Sequence, residues 1–84
     1  MPLYARLTGA RSRMVGTKQT LKALQKGLAE LVYVARDADE HVVREILDLS
    51  KDKNVEVVYA DSMKRLGQAC GIQVGAASAA VLRE

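Results

Sequence analysis

Cysteine, histidine and large aromatic residues are scarce in this chain of 84 residues. It has one cysteine, one histidine and no tryptophan or phenylalanine. A single cysteine excludes an internal disulfide, and without a Cys-x-x-Cys or His-x-x-x-His pattern a zinc site is not expected. His41 sits in the acidic, solvent-facing start of a helix-like segment and is interpreted as a surface residue. Cys70 ends an apolar helix face and is interpreted as a buried small hydrophobe. We therefore expect no catalysis and no bound metal or cofactor.

The sequence also lacks the phosphate-binding signatures of nucleotide-dependent enzymes. It has neither a Walker A motif nor Gly-x-Gly-x-x-Gly. Gly16-Thr17, after a short strand, could offer backbone donors to an anion at the start of a helix. A small enzyme that binds a phosphorylated ligand there is a remote alternative, because no acid/base pair is visible beside it.

Long apolar runs are missing as well. The longest charge-free run extends from Leu66 to Leu82 and falls short of the roughly 20 apolar residues that cross a bilayer. The chain does not open with a basic-then-apolar leader. Together with the single cysteine, this predicts a cytoplasmic protein without a membrane span.

The chain does contain enough apolar material for one compact core. It is 49% hydrophobic and 27% charged, a balance typical of globular rather than disordered proteins. Its length leaves room for one core only, so residues 1–84 are expected to form a single domain. Because the only aromatic residues are Tyr4, Tyr33 and Tyr59, the core is expected to be aliphatic.

Charge is distributed unevenly along the sequence. Residues 1–29 contain six basic residues and no acidic one, residues 30–61 contain nine acidic and four basic residues, and residues 62–83 contain three basic residues and no acidic one. If the fold brings the first and last segments together, the protein gains a basic side for phosphates and an acidic side that stays in solvent. The alternative is that the basic residues only decorate solvated helix faces.

Apolar periodicity divides the first half of the chain into helices and strands. It predicts a short helix or turn within residues 1–12, a strand over 13–15, a helix from Thr17 to about Lys26, a strand over 31–35 and a helix from Asp39 to about Ser50. Thr17 and Asp39 are expected to cap these helices, and Gly27 and Asn54 to occupy the turns that follow them. The residues expected to face the core from the two helices are Leu21, Leu24, Val42, Val43, Ile46, Leu47 and Leu49.

The second half continues the alternation. It predicts a strand over 55–59, a helix from about Met63 to Ala69 capped by Asp61 or Ser62, a loop over 72–74 between Gly71 and Gly75, and a strand over 79–82. The four-residue spacing of Gly67, Gly71 and Gly75 is interpreted as a helix end followed by a loop. The whole pattern predicts an α/β domain, with a largely buried sheet of about four strands, not necessarily all parallel, between helix layers.

Three side chains at the start of the first long helix suggest nucleic-acid binding. Lys18, Gln19 and Lys22 share one face, just after a glycine and beside the positive end of the helix. The Gln19 amide both donates and accepts, so it is the best candidate for reading base edges, whereas the lysines mainly neutralise phosphate. An ordinary solvated helix face is the alternative.

Three stretches of the sequence, residues 15–24 (VGTKQTLKAL), 34–39 (VARDAD) and 66–77 (LGQACGIQVGAA), carry a family resemblance. Together they resemble the seven-Ae family of large-subunit ribosomal proteins, which bind kink-turn RNA, and in particular its short bacterial branch. The resemblance extends over nearly the whole chain, in order and at matching spacing.

The resemblance implies a three-layer α/β/α sandwich with a mixed sheet, and a kink-turn target, that is, a bulge followed by tandem sheared G·A pairs. By matched position, the residues implied to contact the G·A pairs and the backbone are Gly16, Thr17, Lys18, Gln19 and Lys22. The loop residues Ile72, Gln73 and Val74 would lie beside the flipped-out bulge nucleotides, with Lys26, Lys64 and Arg65 as peripheral phosphate contacts. Archaeal relatives carry Asn-Glu where this chain has Lys18-Gln19, so base contacts are expected to differ in detail. Relatives often carry a glutamate where this chain has Gln73; this difference removes a negative charge near phosphate and is not expected to weaken binding.

The expected partner is thus RNA: ribosomal RNA, a riboswitch or another kinked RNA. The protein is expected to be a monomer, and the ribosome is a further candidate partner. The main alternative is a ribosome-associated protein-interaction adaptor that uses the acidic face of residues 30–61.

Overall fold

The computed structural model of the chain describes residues 3–83, which form four helices and four strands. In chain order these are α1 (Ala5–Thr8), β1 (Arg13–Val15), α2 (Thr17–Gln25), β2 (Ala29–Ala35), α3 (Glu40–Asp52), β3 (Glu56–Ala60), α4 (Met63–Ala69) and β4 (Ser78–Leu82). The predicted α/β class is confirmed. β1 and α4 have the bounds expected from the sequence, α1 lies within the predicted residues 1–12, and the other boundaries lie within two residues of those predicted.

The strands form one mixed sheet in the order β1-β4-β2-β3. β4 pairs antiparallel with both β1 and β2, and β2 pairs parallel with β3. As a result, the carboxyl ends of β1, β2 and β3 meet the amino end of β4 at one end of the sheet, called here the upper end. Helices α2, α3 and α4 each begin there, because each follows one of the three strands that finish there.

Helices cover the sheet on both faces, which confirms the expected three layers. On one face, Leu7 of α1 and Leu66 of α4 pack with Leu31 and Tyr33 of β2. On the other face, Leu24 of α2 and Ile46 of α3 pack with Val32 and Val34 of β2. β2 is buried throughout except at Glu30, as expected for a strand covered on both sides.

Two expectations about the core are wrong. Tyr33 is 1% exposed and is the largest fully buried side chain, so the core is not purely aliphatic. Its ring stacks on that of Tyr4 at a centroid distance of 6.0 Å, and its hydroxyl donates to the carbonyl oxygen of Leu3, which removes the cost of burying it. Val42, expected to face the core, is 41% exposed, because α3 turns its Val43 and Ile46 side inward.

The helix starts follow the predicted chemistry with one correction. Asp39 caps α3 by accepting from the backbone N–H of His41 at 2.8 Å, and Ser62 rather than Asp61 caps α4 by accepting from that of Arg65 at 3.0 Å. Thr17 does not cap α2, since it is already the first helical residue and Gly16 occupies the cap position. Gly16 has a φ of +100°, which a residue with a side chain rarely adopts.

No helix within residues 3–83 is both long enough and apolar enough to span a membrane.

Candidate nucleic-acid interface

The upper end of the sheet brings together the two segments that the sequence singled out. The start of α2 follows β1, and the loop that ends α4 leads into β4, the strand beside β1. The backbone N–H of Gly16 donates to the carbonyl oxygen of Ser78 at 2.8 Å and so joins the two segments directly. Parts of the first and last basic segments therefore meet, although they lie some sixty residues apart in the chain.

The first turn of α2 leaves its backbone donors available. Among residues 3–83, no side chain caps this helix, whereas α3 and α4 are capped by Asp39 and Ser62. The first N–H groups of a helix have no partner within it, and the helix dipole makes that end positive. The start of α2 is thus suited to bind an anion or the acceptor edge of a base.

The lysine and glutamine side chains of α2 point outward, as expected. Lys18, Gln19 and Lys22 are exposed, and Gly16 and Thr17 are partly buried. Lys18 and Lys22 stand one turn apart and line a shallow surface depression of about 240 Å³, together with Leu21 and Gln25. This surface offers two cations above a small apolar floor.

Lys26 does not join this group. It is the C-cap residue that follows α2, nine positions after Thr17. At 1.5 Å per residue it lies roughly 13 Å along the helix from the upper end.

The loop over residues 72–74 has a defined shape because it is tied to α4 on both sides. Its Ile72 N–H donates to the carbonyl oxygen of Gly67, and Ala76 N–H donates to that of Met63, both at 3.0 Å. Gly67 lies where the loop crosses the helix, and a Cβ atom there would overlap the carbonyl oxygen of Val74. The glycine spacing read as a helix end plus a loop is therefore confirmed, with Gly67 inside the helix as the point of close approach.

This loop holds an apolar side chain in solvent. Val74 is 71% exposed, Gln73 is exposed, and Ile72 is partly buried against the core beside α4. A single exposed valine is common on protein surfaces and does not by itself mark a binding site, but it gives this loop an apolar group that a ligand can contact.

Lys64 and Arg65 extend the cationic surface at the upper end. They are exposed in the first turn of α4. The backbone N–H of Met63, just before them, donates to a carboxylate oxygen of Asp37 at 2.8 Å, so the loop after β2 helps to fix this turn.

Two arginines, Arg36 and Arg13, have surroundings that the sequence did not predict. Arg36, in the acidic segment, is exposed just after β2 and places its guanidinium carbon 5.3 Å from the ring centroid of Tyr59. Its position after the central strand is the signal that could have drawn attention to it. Conversely, the guanidinium of Arg13 donates to the carbonyl oxygens of Leu7 and Cys70, both at 3.3 Å. This arginine of the first basic segment therefore contributes to the tertiary structure.

Cys70 belongs to the core, as interpreted from the sequence. It is 6% exposed, and burial raises the pKa of its thiol, which disfavours the reactive thiolate. No cluster of three or more His, Cys, Asp or Glu side chains suited to a metal ion occurs in the described range, residues 3–83.

Known proteins are similar to this chain in both sequence and fold. Residues 6–84 match the model of the Ribosomal protein L7Ae/L30e/S12e/Gadd45 family. An RNA-binding protein of Geobacillus sp. strain WCH70 is 48% identical over 80 residues, which are 95% of this chain and 98% of the relative. Large ribosomal subunit protein eL8 of Halobacterium salinarum is 40% identical over 79 residues, which are 93% of this chain and 64% of the relative. The solved structure of a 15.5 kD RNA binding protein from Giardia lamblia matches with a TM-score of 0.85 at 30% identity, over 98% of this chain and 69% of that one.

Proposed function

The chain belongs to the Ribosomal protein L7Ae/L30e/S12e/Gadd45 family of RNA-binding proteins, and we propose that it recognises kink-turn RNA with the upper end of its sheet. The target is a bulge followed by tandem sheared G·A pairs. One observation carries this proposal: the uncapped start of α2 and the loop over residues 72–74 lie at the same end of the sheet and are joined by the Gly16–Ser78 hydrogen bond.

The start of α2 reads the G·A pairs. Sheared pairs turn base edges outward, where the free N–H groups after Gly16 and the Gln19 amide can bond to them. Lys18 and Lys22 neutralise the phosphates that the kink brings close together. Gln19 has both a donor and an acceptor, so it suits a pair that presents both kinds of group.

The loop over residues 72–74 contacts the nucleotides of the bulge. Unstacked bases expose apolar faces, and Val74 offers an apolar surface that is already held out of the core. Gln73 adds a neutral hydrogen-bonding group beside it. Lys64 and Arg65 meet phosphates at the rim, while Lys26 reaches only an RNA stem that continues along α2.

Ribosomal RNA is the target class that similarity to a large-subunit protein favours, and we propose that residues 1–84 act as one domain and as a monomer on it. The physiological setting would then be the cytoplasm, on or near the ribosome.

The test compares two RNAs. Purified protein is titrated at about 150 mM salt, close to physiological screening, into a labelled kink-turn and into the same RNA with its G·A pairs replaced by Watson–Crick pairs. We expect tight 1:1 binding to the first and at least roughly a hundredfold weaker binding to the second, which corresponds to about 2.7 kcal/mol. Equal and weak binding to both would leave only attraction to phosphate and would refute the proposal in favour of a protein partner for the acidic face.

A further inference from the structure

Two buried hydroxyl groups lie directly beneath the proposed RNA-contacting turn of α2. Thr20 and Ser78 are both 0% exposed, and the Ser78 hydroxyl donates to that of Thr20 at 3.3 Å. The residues around them on this face of the sheet are apolar. A buried hydroxyl pair of this kind contributes little net stability, because apolar groups of the same shape can replace it at almost no cost.

The same two residues also fix the backbone of the turn. Gly16 N–H donates to the carbonyl oxygen of Ser78 at 2.8 Å, and Thr20 N–H donates to the carbonyl oxygen of Gly16 at 2.9 Å. With the hydroxyl bond, these contacts close a ring through three residues. The ring sets where α2 begins, and with it the direction of the free N–H groups.

Ser78 is in addition the first residue after the loop that leaves α4. It begins β4, where it pairs with Val34, and the carbonyl oxygen of the preceding Ala77 accepts from the N–H of Ala35. Ser78 is therefore held by the central strand on one side and holds the start of α2 on the other. A shift at this joint would change the position of α2 relative to the loop over residues 72–74.

We propose that Thr20 and Ser78 are positioning residues for RNA recognition, an inference that rests on the proposed function. Their hydroxyl bond keeps the start of α2 and the 72–74 loop in the one relative position in which both contact the same kinked RNA. Neither side chain reaches the RNA. Their loss lowers the affinity for the kink-turn while leaving the charge-driven affinity for other RNA unchanged, because every lysine and arginine remains.

The decisive variant is the double substitution Thr20→Val with Ser78→Ala. It removes both hydroxyl groups, so no buried donor or acceptor is orphaned and the Tm stays close to that of the wild type. We expect about tenfold weaker binding to the kink-turn, which corresponds to about 1.4 kcal/mol, with unchanged binding to the Watson–Crick RNA. Hydrogen exchange should also be faster at the Gly16 and Thr20 amides.

Three further proteins complete the experiment. Thr20→Ser retains a hydroxyl and should bind the kink-turn within about threefold of the wild type. Ser50→Ala is the matched control, since Ser50 is equally buried but lies near the far end of α3, where its hydroxyl has no partner within residues 3–83. It should leave both affinities unchanged. The wild type is titrated alongside with both RNAs.

The outcomes separate the two ideas. A double variant that folds with the wild-type Tm and keeps the full preference for the kink-turn would overturn the positioning role and leave the proposed function intact. A double variant that loses binding only in proportion to a lower Tm would assign the pair to stability alone and overturn the role as well. If the wild type itself fails to distinguish the two RNAs, the proposed function fails, and the positioning role fails with it.

Discussion

Replacing Gly67 by alanine adds one methyl group at the point where the 72–74 loop crosses α4. The new Cβ atom would overlap the carbonyl oxygen of Val74 and lie 3.1 Å from the Cα atom of Gly75. Both neighbours are backbone atoms, so no side chain can rotate away to make room. The loop must move outward, by an amount on the order of 1 Å, before the methyl group can be accommodated.

Two opposing contributions decide the stability of this variant. Alanine is better than glycine inside a helix by about 0.5–1 kcal/mol. Forcing an extra carbon into a close-packed site costs about 1–3 kcal/mol. We expect the cost to be larger, with a net loss of about 1–2 kcal/mol, which for a domain of this size lowers the Tm by about 5–15 °C.

The loop displacement should also appear in RNA binding. In the proposed binding mode, Val74 contacts the bulge nucleotides, and the displaced loop would move it away from them. Affinity for the kink-turn should then fall by roughly tenfold, about 1.4 kcal/mol, with little change for the Watson–Crick RNA. Circular dichroism melting and fluorescence anisotropy measure the two effects. Gln68→Ala is the control, because Gln68 is the exposed next residue of the same helix and its substitution should stay within about 0.5 kcal/mol. A Gly67→Ala protein with a raised Tm would behave like an ordinary helix glycine variant and refute the close approach described here.

Three further predictions concern charge, pH and capping. Lys22→Ala should weaken kink-turn binding by about 1–3 kcal/mol and reduce the salt dependence of log Kd. Lys26→Ala, at the far end of α2, should cost less than about 1 kcal/mol. Equal losses for the two variants in anisotropy titrations would remove Lys22 from the proposed site. Burial raises the pKa of Tyr33, so this tyrosine ionises first in the unfolded chain. Its contribution to the unfolding free energy should be constant below about pH 10 and fall as the pH rises above it. Urea unfolding of Tyr33→Phe should show a smaller fall over the same range, and an identical fall in variant and wild type would contradict this assignment. Asp39→Ala removes the cap of α3 and should lower the free energy of unfolding in urea by about 1 kcal/mol. Asp61→Ala is the control: it removes no helix cap and should leave that free energy nearly unchanged.

Much of the fold and part of the site could be predicted because the responsible signals are local. The brief strand over 13–15 ends at a glycine, the run over 31–35 is apolar on both faces, and Asp39 precedes a helix that it caps. Asn54 was expected in a turn and does adopt a positive φ of 56°. The exposure of Lys18, Gln19 and Lys22 follows from the same helical periodicity that buries Leu24.

What the sequence by itself determined, then, is the set of helices and strands, the outward direction of the basic side chains and the family pattern. Tertiary structure alone decided how these parts meet. Only the strand order brings Gly16 to Ser78, only the crossing of the loop over α4 requires a glycine at 67, and only burial beside Tyr4 makes Tyr33 a core residue. The physical reason is that periodicity and capping depend on residues within a few positions of each other. The hydrogen bond between Thr20 and Ser78 joins residues 58 positions apart, and no local pattern encodes such a contact.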